Sequence, residues 1–368
     1  MAAIPAPKLQ SIPHWVACAG DYEPLARERL SDAAWAYLAG GAADELTLQD
    51  NVAAFQRLRL RSRVLEDMNG GDTRLTLFGQ SFESPIFLGP VAHQRLFDPD
   101  GERATVLAAG ATGLACVIST QSSLPLEEIA AHAAAPLWFQ LYIQPDRGFT
   151  RELVRRAERS GYAAIVVTVD APVSGPRNRE QRAGSALPSG LQPPNLQGMR
   201  PFDGGTEDGR LLGSPLMAAA PTWRDIAELR AQTKLPILLK GIMTPEDADR
   251  ALAEGIDGLV VSNHGGRTLD GLPASIDALP TIAAAVDRRV PLLLDSGIRR
   301  GSDVLKALAL GARAVLVGRP YIHGLAAAGP LGVAHVARIL RAELEIAMAL
   351  TGCRDLASIR PSQPVSRK

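Results

Sequence analysis

From Pro85 to Val317 the chain alternates short apolar runs with segments of helical spacing, and this rhythm constrains the fold more than any single motif. The runs are Ile86–Gly89, Leu114–Ile118, Leu137–Leu141, Ala164–Val169, Ile237–Leu239, Gly258–Val261, Leu292–Leu294 and Ala314–Val317. Apart from Gln140 and Thr168 near the ends of two of them, they are apolar instead of alternating, as expected of strands covered on both faces. Between them lie amphipathic segments such as Thr150–Ser160, Pro245–Ala253 and Asp303–Leu310. Strands separated by helices pair in parallel through right-handed crossovers. Eight such units predict an α/β fold, a closed (β/α)8 TIM barrel. A doubly wound open sheet is the alternative, and periodicity alone does not separate the two.

Two regions break the rhythm. Residues 1–84 predict an N-terminal helical extension packed on the barrel of 85–368. Tyr22–Leu30, Ala33–Leu38 and Asp50–Leu58 have helical spacing, with Ser31 or Asp32 as N-cap of the second helix and Gly40 and Gly41 at its end. Thr73–Gln80 predicts a short hairpin around Gly79. The second break lies between Asp170 and Thr222, a stretch rich in Gly, Pro, Ser and Arg. Loops of that length are commonly lids or disordered segments; a lid loop, 171–221, after strand 4 is the functional reading and a disordered insert the other.

The 368 residues carry 39 basic and 39 acidic side chains, a formal net charge of zero. That balance, without a dense Lys/Arg run, argues against a nucleic-acid partner. Cys18, Cys116 and Cys353 are widely spaced and form no CxxC pair, so neither a zinc site nor a disulfide framework is indicated and no metal is expected. The N-terminal residues do not read as a signal peptide, and no apolar stretch reaches the length of a membrane span. A cytoplasmic enzyme is the expectation.

In a barrel the active site forms where the strands end. The apolar runs end at His93 and Gln94, Ser119 and Thr120, Gln140 and Tyr142, Thr168 and Asp170, Lys240, Asn263 and His264, Asp295, and Gly318 with Arg319. A polar group at every end points to one convergent site. The sixth run leads into Ser262–Asp270, SNHGGRTLD. Here a histidine able to exchange a proton near neutral pH adjoins an arginine able to grip a carboxylate with two parallel hydrogen bonds. That pairing suggests chemistry on a small carboxylic acid; a surface loop with an incidental histidine is the rival. DSGIRRG, Asp295–Gly301, and VGRP, Val317–Pro320, add glycines and arginines at helix starts, a phosphate nest where barrels commonly hold one. Ordinary tight turns would use the same glycines. Lys240 reads either as a lysine reaching back to solvent or as a charge held in the barrel mouth. Asp170 is either a partner for His264 or a turn residue.

SNHGGRTLD, LPILLKG, FQLY, TVDAP and the pair DSGIRRG/VGRP occur in an order and spacing that resembles the FMN-dependent 2-hydroxy-acid oxidases and dehydrogenases, from about Tyr22 to Ile359. That family includes glycolate oxidase, lactate oxidase and mandelate dehydrogenase, and its fold is a (β/α)8 barrel. The resemblance implies FMN as cofactor and oxidation of an (S)-2-hydroxy acid to a 2-oxo acid. It implies His264 as catalytic base with Asp170 as its supporting carboxylate. Arg177 and Arg267 match the arginines that bind the substrate carboxylate, and Tyr37 and Tyr142 the tyrosines that hydrogen-bond substrate. Lys240 matches the lysine beside flavin N1 and O2. Val91 and Ala92 lie next to the flavin, Ser119, Gln140, Thr168 and Ser262 match ring or ribityl contacts, and Asp295, Ser296, Gly297, Arg299, Gly318 and Arg319 the ribityl and phosphate site. By the same resemblance the protein is a homo-oligomer, a tetramer or octamer.

Three departures bear on the substrate. Val91 stands where many relatives have Thr, and His93 where Met is common. In the segment after TVD, Val173 and Pro176 replace two arginines. Gln121 takes the place of a bulky Trp of glycolate oxidase, which predicts an enlarged pocket; with PVAHQRLF and STQSSLPLEEIA the chain is most similar to the hydroxymandelate-oxidase branch. A mandelate-like or long-chain acid is therefore expected, with Gln121 and His93 in the substrate pocket; the alternative is that Leu124 or a side chain of Asn178–Ala220 fills the space and leaves a pocket suited to lactate. Dioxygen, giving hydrogen peroxide, is the expected electron acceptor; a dehydrogenase passing electrons to a quinone or other carrier is the alternative. An FMN-dependent isomerase of isoprenoid diphosphates would need no arginine pair with a histidine base, and a flavin-binding protein without activity would not need His264, Asp170, Tyr37 and Tyr142.

Overall fold

The structure, a computed structural model, describes residues 6–184, 191–206, 209–359 and 365–367. The expected lid falls partly outside them, at 185–190 and 207–208. The eight apolar runs form parallel strands: β1 (Ile86–Leu88), β2 (Cys116–Ser119), β3 (Leu137–Leu141), β4 (Ile165–Thr168), β5 (Ile237–Ile242), β6 (Gly258–Val261), β7 (Leu292–Asp295) and β8 (Ala314–Val317). They hydrogen-bond in sequence order, and β8 pairs back onto β1 at Val317↔Leu88, so the sheet is a closed barrel and not an open one. Closure removes every sheet edge.

Helices cover the outside: α4 (Glu102–Thr112), α5 (Leu126–Ala131), α6 (Arg147–Arg159), α9 (Trp223–Arg230), α10 (Pro245–Ala253), α11 (Ser275–Val286), α12 (Gly301–Ala309) and α13 (Arg319–Leu350), which bends at Ala328 and Gly329. Before the barrel come α1 (Tyr22–Arg27), α2 (Asp32–Ala39) and α3 (Leu46–Arg57). The loop after β4 carries the short helices α7 (Asn178–Arg182) and α8 (Pro215–Ala218) where it is described. Buried Asn195 ties it to the loop after β2 by donating to Ser122 Oγ (2.8 Å) and accepting from Leu126 N (3.0 Å).

Side-chain alternation splits the core in two. One set of strand residues faces the helices. The other, Phe87, Val117, Trp138, Val166, Leu238, Val260, Leu293 and Leu316, fills the barrel bore. Leu75, Leu77 and Phe82 join this inner cluster from the hairpin Leu75–Leu77/Gln80–Phe82. Phe82 packs on Phe87 at 4.7 Å between ring centroids, and Phe87 on Trp138 at 4.9 Å. The hairpin therefore stops the bottom of the bore, and polar groups collect at the top. Its turn is at Phe78–Gly79, as the glycine predicts, with the second strand following the predicted segment.

The predicted helix at Asp50–Leu58 starts earlier, at Leu46, because its cap comes from far along the chain. Asp270 accepts from Asp44 N (3.1 Å) and Thr47 N (2.8 Å). Its end is earlier too, since Leu58–Leu60 pairs with Val365–Arg367 as a two-stranded ribbon. In α2, Ser31 is the N-cap, accepting from Ala34 N, and Gly40 ends the helix.

The join between α3 and the β6 loop is polar and buried. Asn51 and Asn263 exchange amide hydrogen bonds of 2.9 and 2.8 Å, and Asn263 also donates to Pro273 O. Leaving a buried amide unpaired costs about 1–3 kcal/mol. Asn51→Ala should lower stability by about that amount, read from the urea midpoint at unchanged slope. An unshifted midpoint would show that the exchange contributes nothing.

Candidate active site

All eight strands deliver side chains to one cavity of about 930 Å³ at the top of the barrel. Its wall includes Tyr37, Val91, Ala92, His93, Ser119, Gln121, Gln140, Tyr142, Thr168, Arg177, Lys240, His264, Arg267, Asp295, Ser296, Gly297, Arg299, Gly318 and Arg319. Of the catalytic, flavin and pocket residues expected, only Asp170 and Ser262 stand behind the wall, and both hydrogen-bond residues that form it; of the other polar residues that end the runs, Gln94, Thr120 and Asn263 are buried and do not line the cavity.

His264 follows β6 with φ 59°, and Gly265 and Gly266 continue in the left-handed region at 67° and 71°. A non-glycine residue there is strained, and such strain is commonly found at functional sites. The tight course is held by contact with α3: a Cβ at Gly266 would sit 2.6 Å from Leu48 N. Within the loop, Asp170 Oδ1 lies 2.7 Å from His264 Nδ1 and Tyr142 Oη 3.4 Å from Nε2. A carboxylate oxygen accepts, so Nδ1 carries the hydrogen and Nε2 presents its lone pair to the cavity. Asp170 reaches this position over a bulge in β5. The register shifts between Lys240 and Ile242, and Gly241 has φ 117°; a Cβ there would lie 2.5 Å from Asp170 Cβ. Only glycine fits both constraints.

Lys240 does not reach solvent. It is 4% exposed, 2.9 Å from Asp295 Oδ2, and donates to Ser262 Oγ (2.9 Å), which donates to Asp295 Oδ2 (2.8 Å). Burial opposes the charge on Lys240, but Asp295 and Asp170 outweigh it and raise the ammonium above its ordinary range. Burial likewise opposes ionisation of Asp295, and Lys240 outweighs it and holds the carboxyl low. Along the opposite wall, Ser119 Oγ donates to Gln140 Oε1 (3.0 Å) and Gln140 Nε2 to Thr168 Oγ1 (3.0 Å).

Three segments distant in sequence assemble the arginine side. Arg267 Nη1 donates to Tyr37 O (2.7 Å) and Gly40 O (2.8 Å), with its guanidinium 5.0 Å from the Tyr37 ring centre. Arg177 precedes α7, and its Nε is buried without a hydrogen-bond partner among the described residues. Both meet Glu180, which sequence reading missed: Oε1 lies 3.1 Å from Arg177 Nη1 and 3.2 Å from Arg267 Nη2. Its only sequence signal was an acidic residue three after Arg177 in a segment rich in arginine.

Arg319 donates to the carbonyls of Leu38 (3.0 Å), Gly265 (3.0 Å) and Gly40 (2.8 Å), and Arg299 to its neighbour Ile298 (3.0 Å). Neither has a carboxylate partner among the described residues. Enclosure is the main cause that lowers both guanidiniums below their usual range. Gly318 is the N-cap of α13, where backbone N–H groups are unpaired, and a Cβ there would have only Val91 Cγ2 at 4.0 Å. Open space, a helix start and two cations with no directly bonded carboxylate among the described residues fit a phosphate. With the amide–hydroxyl chain and Lys240 along the same cavity, the donor set fits a flavin mononucleotide.

Similarity to known proteins agrees with this geometry. A family model described as FMN-dependent dehydrogenase matches residues 26–365. The chain is 46% identical over 350 residues to an L-lactate oxidase of Nostoc sp., covering 93% of this chain and 96% of the relative. It is 44% identical to 2-hydroxyacid oxidase 2 of Mus musculus, with 94% and 97% covered. A solved structure of mandelate oxidase with (S)-2-phenylpropionate superposes with a TM-score of 0.86 at 43% identity, covering 96% of this chain and 98% of that one.

The Lys240–Asp295 pair yields a signed pH test. Removing one partner of a buried pair costs about 3–5 kcal/mol. In the wild type Asp295 is held low, so its contribution is complete above the ordinary carboxylate range and is lost as pH falls through its folded value. In Lys240→Met the largest cause that lowers it is gone, Ser262 and His264 lower it less, and burial raises it, so the penalty is largest at neutral pH and shrinks on acidification. Urea unfolding of both proteins at about pH 7 and about pH 5 measures the difference. An equal deficit at both would refute the coupling.

Proposed function

The chain belongs to the FMN-dependent dehydrogenase family, and from that premise we propose how its residues divide the reaction. The protein is an FMN-dependent oxidase of 2-hydroxy acids, turning an (S)-2-hydroxy acid into a 2-oxo acid, with dioxygen as final acceptor and hydrogen peroxide as product. Bound FMN supplies the two-electron acceptor. The observation that carries the reading is the Asp170–His264–Tyr142 chain facing Arg177 and Arg267 across one cavity.

Arg267, fixed by two backbone carbonyls, and Arg177 would hold the substrate carboxylate and so present one face of the α-carbon. His264 Nε2 would take a proton from the substrate, while Asp170 keeps Nδ1 protonated and stabilises the imidazolium that forms. Tyr37 and Tyr142 would hydrogen-bond the substrate. Burial raises both phenols, Tyr142 to about 12, so they donate as neutral groups. Lys240, braced by Asp295 and Ser262, would hold a positive charge against the flavin ring. Ser119, Gln140 and Thr168, with the backbone near Val91 and Ala92, would meet the ring and ribityl chain. Ser296, Gly297, Arg299, Gly318 and Arg319 would hold the phosphate end.

Gln121 and His93 line the cavity, and Leu124 does not, being 3% exposed in the core. The returning part of the β4 loop supplies Leu216 and Ala219 to the same wall, and the start of α9 supplies Trp223. A pocket bounded by Gln121 instead of a bulky ring supports a mandelate-like or long-chain substrate. The reading includes a cytoplasmic homo-oligomer, tetramer or octamer, which light scattering on the purified protein measures. No helix among the described residues is long and apolar enough to cross a membrane.

Anaerobic mixing with lactate, glycolate, 2-hydroxyoctanoate or mandelate should bleach the flavin, and oxygen should restore it with peroxide formed. Recovery only with a quinone would make the protein a dehydrogenase. His264→Asn should retain flavin and lose two to four orders of magnitude in reduction rate, roughly the contribution of a general base; near wild-type reduction would assign the base elsewhere. Mandelate and 2-hydroxyoctanoate should exceed glycolate in kcat/KM, since each buried methylene contributes about 0.8 kcal/mol. Gln121→Trp should narrow that gap, and a wild-type preference for glycolate would refute the enlarged pocket.

A further inference from the structure

The arginine pair already holds a carboxylate, and it is the chain's own. Glu180 lies on α7 with its side chain 14% exposed. Its Oε1 bridges Arg177 Nη1 and Arg267 Nη2 at 3.1 and 3.2 Å, and all three side chains line the cavity. Some of the donors around it are already committed. Arg267 Nη1 gives its two hydrogens to Tyr37 O and Gly40 O, which leaves Nη2 and Nε for any anion, and Glu180 takes one bond from Nη2. Glu180 meets each guanidinium through a single oxygen, whereas a free carboxylate can take two parallel bonds from one arginine.

We propose that Glu180 is a positioning and specificity-determining residue: a built-in carboxylate that orients Arg177 and Arg267 in the ligand-free site and is displaced by the carboxylate of the substrate. This rests on the reading that those two arginines bind the substrate carboxylate. Substrate affinity is then a difference between two carboxylates on the same donors. A neutral ligand cannot compete and is excluded, and a carboxylate able to form a bidentate contact wins. Glu180 is long enough to leave by rotamer change alone, so α7 need not unfold.

The test is a comparison of ligand affinities in the FMN-loaded enzyme, using pyruvate as an unreactive 2-oxo acid and pyruvamide as its neutral counterpart, by titration calorimetry. Glu180→Gln keeps an oxygen that accepts from an arginine but removes the competing charge. Pyruvate should bind roughly tenfold tighter, the scale of one charged hydrogen bond. KM for lactate should fall with no gain in kcat, and pyruvamide should gain far less than pyruvate. Glu180→Asp, which keeps the charge one methylene shorter, should fall between wild type and Glu180→Gln, and it serves if Glu180→Gln does not fold. Arg267→Lys is run alongside, because lysine lacks the planar fork. If Arg267→Lys weakens pyruvate and Glu180→Gln leaves it unchanged or weaker, Glu180 only braces the arginines and the proposal is overturned, with the arginine clamp intact. If Arg267→Lys leaves pyruvate unchanged, the clamp itself is wrong and the proposal falls with it. An equal gain for pyruvate and pyruvamide also overturns it, because charge competition would then play no part.

Discussion

A barrel whose bore is solid can be polar at one end only. Phe87, Val117, Trp138, Val166, Leu238, Val260, Leu293 and Leu316 fill the channel, and the hairpin carrying Phe82 stops its base. Parallel pairing then sends every strand terminus to the opposite rim. The cavity lies there because those residues leave no room elsewhere, and the chemistry follows from what each strand presents as it emerges. Trp138 meets both Phe82 and Phe87 edge-on, so one contact set closes the base and fixes the bore.

The rim is not built from the barrel alone. Tyr37 comes from α2, Arg177 from the start of α7, and Arg267 from the β6 loop, and backbone hydrogen bonds fasten the three together. Ala42 N donates to Gly266 O at 2.8 Å and Ala43 N to Pro176 O at 2.8 Å. The N-terminal extension thus acts as a strut between two loops that carry cations of like sign. Arg267 spends Nη1 on carbonyls of that strut, which offsets part of the repulsion that would otherwise splay the loops.

Period and run length made the eight alternating βα units legible from sequence, since a strand buried on both faces must be largely apolar; that they close into a barrel and not an open sheet was beyond periodicity. The site was legible for a related reason: polar residues ending apolar runs have to converge at the rim. His264, Lys240 and Asp295 could be found that way. What stayed hidden depends on pairs of residues far apart in the chain. The start of α3 is capped by Asp270, and Leu58–Leu60 is drawn into a ribbon with Val365–Arg367. Neither leaves a local signal. Glu180 was hidden because a lone acid among arginines reads as surface charge, and its burial between two guanidiniums is a property of the assembled loops. Gly241 was visible as a residue, but its purpose, room for Asp170 over the β5 bulge, exists only in three dimensions.

The charges of the cavity account for what it selects. The chain as a whole is neutral. The cavity wall carries Arg177, Lys240, Arg267, Arg299 and Arg319 against Glu180, Asp247 and Asp295. Asp295 is committed to Lys240, and Glu180 to the arginine pair. Among the described residues, the Arg299 and Arg319 side chains hydrogen-bond only to carbonyl oxygens. A guanidinium away from bulk water gains most from an anion that supplies both charge and hydrogen-bond acceptors. That defines two anion positions at different places in one cavity. The first has no carboxylate bonded to it among the described residues and suits a phosphate; the second is held by Glu180, which on the proposal above gives way to the substrate carboxylate.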